Sequence, residues 1–587
     1  MKKYIILNSL MLFSALLQGQ GLINYGSHIV VSGSTYLVID GASGNVQNES
    51  GVIDLAGILK VGGNFTNNVT NTNAFGTLAA GSEVIFAGTA TQTIGGSSTA
   101  VFTFDELTIN ADAIIKMDAG KKLTLNGNLT NNGNFTLAAT ENDGSATLKI
   151  SAAIAGTGAY NMETYMTSGR NWYVSSPVTT AKSSVFNAAS NPMSWYDEAH
   201  GTSAPWPTIS NNTTNLDPMK GYIATVSTNG IVTFTGGSYN NSNAPLTVYR
   251  TALQSKEGFN LVGNPYPAFY DFGSSLKTNI QPSYWYRAKN AGNTAYVFDT
   301  YSVTNGLGTS LSGKSVTANI PPMQAFWVRV DDGQSSGTIS FDKQYVNHSD
   351  LASNRRRSPN ASSAKYVRLQ VSNGYNYDET ILVFNPLASD GYDAYDSPKM
   401  SNGSTAIPEI YSKAGNETVA INGMKAFETE KNVALGFNTA QSNSFTIKAT
   451  EITGFDAGYK IVLYDDNLKT EYDLTANTAY QFSSSEVNTL SRFEVRFKAP
   501  GITTDITENA VELTRFVRNN NNQITLHYSG QPTGNEILSL YNTAGIMLNK
   551  KQILCSEISI DMPYPAGVYV LKAQIGAKII ANKITIK

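Results

Sequence analysis

The sequence predicts an all-β protein with several domains, and three observations support that class. No long segment with helical periodicity follows the first twenty residues. Short runs of alternating apolar and polar residues recur, and they end repeatedly in Gly, Asn or Asp, which is typical of strands bounded by tight turns. The 50 glycines and 31 tyrosines fit this class, because glycine favours turns and tyrosine favours strands. A length of 587 residues leaves room for several domains.

Residues 1–20 have the layout of a secretory signal peptide. Lys2 and Lys3 precede an apolar run over residues 4–17, and polar residues follow at 18–20. The run is shorter than the ~20 residues that a membrane-spanning helix needs, so we expect no transmembrane helix in the mature chain. Cys555 is the one cysteine, which leaves stability to buried β-structure rather than to disulfides.

Residues 21–164 predict a β-solenoid or β-helix-like repeat region. The stretch "GILKVGGNFTNN" at 57–68 is echoed by "KLTLNGNLTNNGNFTLAA" at 122–139. A unit this short cannot bury its own apolar face, so stacking on neighbouring turns is the natural solution. The repeats are irregularly spaced, and their asparagines suit the corners, where they could form ladders. A β-sandwich with Asn-Gly hairpins is the alternative.

Residues 165–349 contain an internal duplication. Four segments of the first half return in the same order in the second half: "NWYVSSP" as "FNLVGNP", "SWYDEAH" as "YWYRAKN", "PMKGYIATV" as "PMQAFWVRV", and "GIVTFTGG" as "GTISFDK". Each copy holds several predicted strands. The region therefore predicts a duplicated β module made of paired sheets or a pseudo-symmetric sandwich.

All five tryptophans lie in this duplicated module. Flat aromatic faces can cover the apolar faces of sugars, but tryptophans also serve as core anchors. Trp172 and Trp327 lie within strand patterns and are predicted to be buried. Trp206 stands between two prolines in a predicted loop, and it is the candidate for a glycan contact.

Residues 350–363 predict a linker, and residues 364–502 a further β-sandwich module with short strands at sandwich-like spacing. Asp390, Asp393 and Asp396 lie three residues apart in "SDGYDAYDSPKM". Their carboxylates could hold calcium, although aspartates that form turns explain the pattern equally well. The four histidines are scattered without metal-ligand spacing, and we expect no other metal and no cofactor.

The search for catalytic motifs assigns no catalytic residue. The sequence has no Gly-x-Ser-x-Gly elbow, no His-Glu-x-x-His and no P-loop. Its net charge of −3 gives no basic field for nucleic acid. We therefore expect a protein that is not an enzyme and does not bind nucleic acid.

The last residues predict a hairpin, "PAGVYVLKAQIGAKIIANKITIK", which follows the stretch "ILSLYNTAGIMLNKKQI". Together these stretches resemble the type A C-terminal sorting domain of the type IX secretion system. The resemblance covers residues 511–587, and the residues that carry it are Tyr541, Gly545, Pro565, Ala566, Gly567, Tyr569 and Lys583. It implies a small β-sandwich that the type IX export machinery recognises and removes, often with attachment of the passenger to surface polysaccharide. Upstream segments resemble modules of surface proteins of the Bacteroidetes group.

These observations predict a secreted protein that stays extracellular or is attached to the outer cell surface, with an adhesin-like or structural role. The expected partners are the type IX machinery and, for the passenger, surface polysaccharide or an extracellular glycan. A non-catalytic glycan-binding protein is the first alternative. A polysaccharide-active enzyme is the second.

Overall fold

The computed structural model describes residues 4–6, 21–70, 72–200, 205–252, 257–348, 365–440, 443–476, 478–484, 489–499, 516–519, 523–527, 536–555, 557–575 and 578–586. Apart from three short 3₁₀ turns at Ser183–Phe186, Glu198–His200 and Lys343–Tyr345, the regular elements of these residues are strands, so the predicted all-β class is confirmed. The chain divides into two compact units, Met1–Lys498 and Ala499–Lys587. The predicted linker lies outside the described residues, and so does the predicted signal peptide except for the strand Tyr4–Ile6.

The first unit begins with a three-sided β-solenoid of about six turns. Strands of consecutive turns pair in parallel, so the alternative of Asn-Gly hairpins is wrong for this region. Val46 pairs with Phe65, and Phe65 pairs with Ile94, so successive turns take 19 and 29 residues. The inward residues of all three faces form one apolar core, because no single turn can bury its own apolar side.

The solenoid strands form the following sheets. The long face contains Leu22–Asn24, Val46–Asn48, Phe65–Asn67, Thr91–Gly95, Ile114–Met117, Asn134–Leu137 and Ala159–Met166. The second face contains Tyr36–Ile39, Ile58–Val61, Glu83–Phe86, Glu106–Ile109, Leu129–Asn131 and Ile154–Ala155. The third face has two sections, first Tyr4–Ile6, His28–Val31, Val52–Leu55 and Phe75–Leu78, then Phe102–Phe104, Lys122–Leu125 and Thr147–Ile150. A small hairpin joins Ala139–Thr140 to Gly144–Ser145.

Buried asparagines hold one corner of the solenoid. Asn24, Asn48 and Asn67 lie in register at the ends of three long-face strands, and all three are buried. The side-chain Nδ2 of Asn48 donates to the carbonyls of Gly51 (3.0 Å) and Ala74 (3.3 Å). The asparagine side chains therefore bond to corner carbonyls that strand pairing leaves without a partner. Because they recur in register from turn to turn, they form the row of corner asparagines that the sequence predicts.

A strand from the duplicated module closes the long face. Gly230–Gly236 pairs antiparallel with Ala159–Met166, the last strand of the solenoid. Behind it, the buried Tyr239 hydroxyl lies 3.0 Å from the carbonyl oxygen of Phe135 and 2.8 Å from that of Asn161, and it donates to this pair. Burial raises the pKa of Tyr239 well above its usual range, so the phenol stays neutral. The solenoid and the first copy of the module consequently share one core.

The two copies of the duplicated module have matching sheets. In the first copy, Trp172–Val174 pairs with Tyr222–Ala224, which pairs with Met193–Trp195, next to Thr208–Ile209. In the second copy, Phe259–Gly263 pairs with Ala325–Arg329, which pairs with Ser283–Lys289, followed by Tyr296–Ser302 and Leu307–Thr309. The central pairs also correspond: Tyr173–Ile223 and Val174–Tyr222 match Leu261–Trp327 and Val262–Phe326. The matched segments thus take equivalent places in the fold.

A pseudo-twofold axis relates the two copies. Two backbone contacts between the copies each have a counterpart in the opposite direction. The bridge Val174–Gln324 mirrors Val262–Lys220, and the bond from Ser175 N to Met323 O (3.0 Å) mirrors that from Gly263 N to Met219 O (2.9 Å). The sheets of the two copies are therefore connected to each other, and we call the result the joined sheet. The module's remaining strands are Val178–Thr179, Ser238–Tyr239, Ala244–Tyr249, Phe269–Asp271, Lys277–Thr278, Asn319–Ile320, Ser336–Phe341 and Val346–Asn347.

The rest of the first unit is one long sheet folded over a single apolar core. Strand Glu409–Ala414 makes the corner, because its first half pairs with Glu430–Asn438 and its second half with Glu417–Lys425. We call this part the sandwich. Its other strands are Lys365–Ser372, Tyr377–Asn385, Ser397–Pro398, Asn443–Thr453, Lys460–Asp465, Thr470–Asp473, Ala479–Ser484 and Thr489–Lys498.

The second unit contains two sheets over a small core of its own. One sheet contains Phe516–Asn519, Gln523–His527 and Glu557–Asp561, and the other Met547–Gln552, Ile537–Asn542, Gly567–Ile575 and Lys578–Ile586. Buried Ile558 and Ile560 of the first sheet pack with Leu540 and Leu571 of the second. The predicted C-terminal hairpin is present as the pair Gly567–Ile575 and Lys578–Ile586.

We expect Asn131→Ala to destabilise the solenoid locally. Buried Asn131 donates through Nδ2 to the Ala159 carbonyl (3.0 Å) and accepts from the Gly133 N–H (3.1 Å), so its loss removes the partner of two partly buried backbone groups, at a cost of about 1–2 kcal/mol. The neighbouring exposed Asn132 is the matched control, and Asn132→Ala should cost under about 0.5 kcal/mol. Hydrogen exchange of peptides spanning residues 129–137 and 154–162 measures both. Equal protection in the two variants would contradict the role of the corner asparagine.

Candidate functional site

A groove of about 910 Å³ lies between the second copy of the duplicated module and the sandwich. We call it the inter-module groove. Module residues that line it include Ser310, Thr317, Asn319, Gln344, Tyr345 and Asn347. Sandwich residues that line it are Tyr366, Arg368, Gln370, Glu379, Thr450 and Glu451, and Lys149 of the solenoid also contributes. The lining is dominated by hydroxyl and amide groups, which can both donate and accept hydrogen bonds.

Hydrogen bonds to the solenoid and a hydrogen bond between the two walls hold the groove in place. His348, next to the module wall, contacts Thr147 Oγ1 through Nδ1 (2.7 Å) and Thr124 Oγ1 through Nε2 (3.1 Å). These threonines belong to adjacent strands of the third solenoid face. On the other side, the Arg368 guanidinium donates to the Gly308 carbonyl across the groove (2.7 Å). The groove is therefore a fixed feature between packed elements.

Arg368 organises the charges of the groove. Its guanidinium lies 3.2 Å from Glu379 Oε2 and 3.2 Å from Glu451 Oε2. Glu379 is buried and also accepts from Ser310 N (3.1 Å), and Tyr366 donates its hydroxyl to Glu451 Oε1 (2.6 Å). Burial and the bond to Glu451 raise the pKa of Tyr366, which keeps it a donor. Both carboxylates are thus engaged by protein groups.

Trp206, the predicted glycan contact, is partly buried in an aromatic cluster. Its ring lies edge-on to those of Tyr196 (centroids 5.0 Å apart) and Trp327 (5.9 Å apart). Tyr173 completes the cluster against Trp327, at 6.1 Å. The loop that carries Trp206 is therefore pinned to the joined sheet, and Trp206 contributes packing as well as partly exposed aromatic surface.

The other tryptophans differ in burial. Trp327 is buried as predicted, and Trp285 is fully buried and donates Nε1 to the Pro398 carbonyl (2.9 Å). The prediction that Trp172 is buried is wrong: it is half-buried, with the Arg170 guanidinium 3.9 Å from its ring centroid. Trp195 is also half-buried beneath Lys220, whose Nζ lies 2.9 Å from the ring centroid. Several aromatic faces of the module are therefore covered by cations.

The calcium candidates Asp390, Asp393 and Asp396 build a loop instead of converging on one point. Asp393 accepts from the backbone N–H of Tyr395 (2.8 Å), and Asp396 accepts from those of Asp393 (2.8 Å) and Gly423 (2.9 Å). Asp390 forms an ion pair with the Lys431 ammonium (2.7 Å). Within the described residues, no group of three or more His, Cys, Asp or Glu side chains is placed to hold a metal ion. The turn-forming explanation accounts for Asp393 and Asp396, whereas the partners of Asp390 lie on other strands.

The residues that resemble a sorting signal lie in the turns and strands of the second unit. Gly545 has a φ of +77°, as the turn after Tyr541 requires, since a side chain there would be strained. Tyr569 donates its hydroxyl to the Pro565 carbonyl (2.7 Å), which fixes the entry into the strand that starts at Gly567, after Ala566. Lys583 lies opposite Val570 in the terminal hairpin. These contacts explain the local fold of the motif residues.

No helix in the described part of the chain is long and apolar enough to cross a membrane. The structure thus defines a multi-module β protein made of a capped solenoid, a duplicated module and a sandwich. Residues 66–497 match the family described as domain of unknown function DUF8693, and the chain belongs to that family. The match ends next to Lys498, the last residue of the first unit. Among curated proteins, none matches the chain.

The inter-module groove is absent from the sequence predictions. Its residues come from the solenoid, from strands and loops of the second copy and from three strands of the sandwich, and no local motif links them. Alternation in "KYVRLQVS" does place Tyr366, Arg368 and Gln370 on one strand face. That face pattern was the one available signal, and it cannot say which module lies opposite.

We expect the stability of the first unit to fall as pH rises from about 4 to about 7, in part through Asp396. Burial raises the pKa of Asp396 to about 7, against the opposing effect of the N–H groups of Asp393 and Gly423. Between the pKa of an unfolded aspartate and this value the native state binds more protons than the unfolded state, so deprotonation destabilises the fold. Asp396→Asn should flatten this slope, measured by urea unfolding at a series of pH values. Asp390→Asn, at an exposed position of the same loop, is the control, and equal slopes for both variants would contradict the assignment.

Proposed function

We propose that this protein is a secreted, adhesin-like binding protein of the cell surface that holds a glycan in the inter-module groove. The observation that carries the proposal is the groove itself, with a volume of about 910 Å³ and a lining rich in hydroxyl and amide groups. Ligand sites commonly enclose roughly 300–1,000 Å³ and orient their ligand with a few polar groups. An oligosaccharide, with a hydroxyl on almost every carbon, matches this lining.

Three side chains illustrate the chemical match. Asn319 and Gln344 bring amides that can pair with adjacent sugar hydroxyls, and both line the module wall. Tyr345 is partly exposed and packs against the apolar core of the second copy. It brings an aromatic face with a polar hydroxyl. An aromatic ring beside planar amides suits a ring-shaped ligand with an apolar face and a polar rim.

Binding is favoured over hydrolysis by the state of the groove carboxylates. A glycosidase needs one carboxylic acid as proton donor and a second carboxylate as base or nucleophile. Of the three carboxylates that line the groove, Glu379 and Glu451 both contact the Arg368 guanidinium, and Asp271 accepts from the Ser274 hydroxyl (2.7 Å). The contacts of Arg368 suit a structural ion network that joins three sandwich strands. Release of reducing sugars from a polysaccharide panel would favour the enzyme alternative.

Export to the surface is supported by the two ends of the sequence. The signal-peptide pattern at residues 1–20 would direct entry into the secretory route, and residues 511–587 resemble a type IX sorting domain. The family match runs from residue 66 to residue 497 within the first unit and stops before the second, which fits a passenger joined to a delivery domain. The solenoid would then serve as a rigid stalk or contact surface for the module and sandwich.

We expect Tyr345→Ala to weaken glycan binding at least ten-fold, because it removes the aromatic face from the groove. The full chain is screened on a glycan array, and the affinity for the best ligand is then compared between variants. Tyr375→Ala is the matched control, since Tyr375 is 93% exposed on a turn of the sandwich and does not line the groove. Absence of any glycan ligand, or equal loss in both variants, would contradict the proposal.

We expect a chain truncated after Asn509 to remain inside the cell envelope, because it lacks the segment that resembles the sorting domain. Fractionation and surface labelling of intact cells measure its location, and the full-length chain is the control. The family-matched part stays complete in the truncated chain, so its abundance can be compared directly. Surface display of the truncated chain would show that residues 510–587 are not needed for export.

A further inference from the structure

Three cations gather at one end of the joined sheet. Arg287 and Lys289 lie two residues apart on strand Ser283–Lys289, so strand alternation directs them to the same face. The Arg287 guanidinium carbon lies 3.6 Å from the ring centroid of Tyr296, and Lys289 Nζ lies 4.0 Å from the same centroid. One aromatic ring of the neighbouring strand thus holds two positive charges.

The first copy of the module supplies the third cation. The Arg170 guanidinium carbon lies 3.9 Å from the ring centroid of Trp172. Between these two residues, the backbone N–H of Asn171 donates to the Tyr296 hydroxyl (2.6 Å), which ties this segment to the second copy. We call this surface the basic–aromatic patch; its members are Arg170, Trp172, Tyr173, Arg287, Lys289 and Tyr296.

The patch has no acidic counterpart within the part of the chain that the structure describes. None of its three cations has a carboxylate oxygen within 4 Å. All other arginines whose side chains are described form carboxylate ion pairs, namely Arg250, Arg329, Arg368, Arg492 and Arg496. Burial lowers the pKa of Arg170, and the nearby positive charge of Arg287 lowers it further. A chain with net charge −3 thus keeps one uncompensated positive surface.

We propose that the basic–aromatic patch binds the anionic groups of an acidic polysaccharide. Guanidinium groups match the planar oxygen pairs of carboxylates and sulfates, and partly buried cations gain most from such a partner. The patch residues other than buried Tyr173 are half-buried, and each keeps some surface that a polymer can reach. Nucleic acid is disfavoured, because single strands need free aromatic faces for base stacking, and these rings already hold cations. This surface is separate from the inter-module groove, and the proposal does not depend on a ligand there.

The test measures binding of the full chain to polygalacturonate, dextran sulfate and neutral dextran. The double variant Arg287→Gln/Lys289→Gln should raise the Kd for the acidic polymer about 10- to 100-fold, because it removes two charge-assisted contacts. Lys413→Gln/Lys425→Gln is the matched control: both lysines are exposed on the sandwich, and the change in net charge is the same. The control should bind as the parent does. Binding by the parent should also weaken with added salt.

The outcomes separate the alternatives. Preference for polygalacturonate or for dextran sulfate identifies the anion as carboxylate or sulfate, and either supports the proposal. Equal binding to dextran, or equal loss in both double variants, would overturn it. A single-stranded oligonucleotide bound as tightly as the acidic polymers would overturn the polysaccharide assignment. If Tyr345→Ala abolishes binding of neutral glycans while the patch variants do not, the groove proposal survives on its own.

Discussion

The open edge of a parallel β-solenoid is the constraint from which the rest of the first unit follows. Its last long-face strand presents unpaired N–H and C=O groups, and such an edge must be covered or it recruits other chains. Strand Gly230–Gly236 covers it, and Tyr239 seals the core behind that strand. The covering strand belongs to the first copy of the duplicated module, whose own edge is completed by the second copy through the pseudo-twofold contacts. The second copy is in turn capped by the sandwich, where Pro398 accepts from the buried Trp285.

The two candidate surfaces lie at the places where one module covers the edge of the next. The inter-module groove remains where loops of the second copy face the sandwich without filling the space, and Arg368 offsets one of the two negative charges of Glu379 and Glu451 on the sandwich wall. The basic–aromatic patch lies where the two copies meet, because Tyr296 of one copy accepts from Asn171 of the other. The seam between the copies therefore presents side chains from both, and the three cations of the patch lie along it. The patch needs both copies of the module, whereas the groove needs the second copy and the sandwich.

Local patterns predict the fold well but predict the candidate sites poorly, and the reason is physical. Alternation, turn residues and short repeats determine strands and stacking, so the all-β class and the solenoid follow from the sequence. The ordered segment matches anticipated equivalent strands, down to the pairs around Val174 and Val262. By contrast, Arg368 and Tyr345 line one groove from different modules, and Trp206 is packed against Trp327 by tertiary contacts. Spacing between aspartates gave a calcium hypothesis because spacing alone cannot tell metal ligands from turn formers.

The pseudo-twofold seam has a consequence for the order in which the chain folds. Each solenoid turn needs partners only 19 to 29 residues away, so its loop-closure cost is small and growth can propagate turn by turn. The seam instead joins Val174 to Gln324, and those residues can meet only after most of both copies has been synthesised. Contacts of such long separation slow folding. The solenoid therefore forms early and offers its last strand as a template, while the basic–aromatic patch at the seam is completed later.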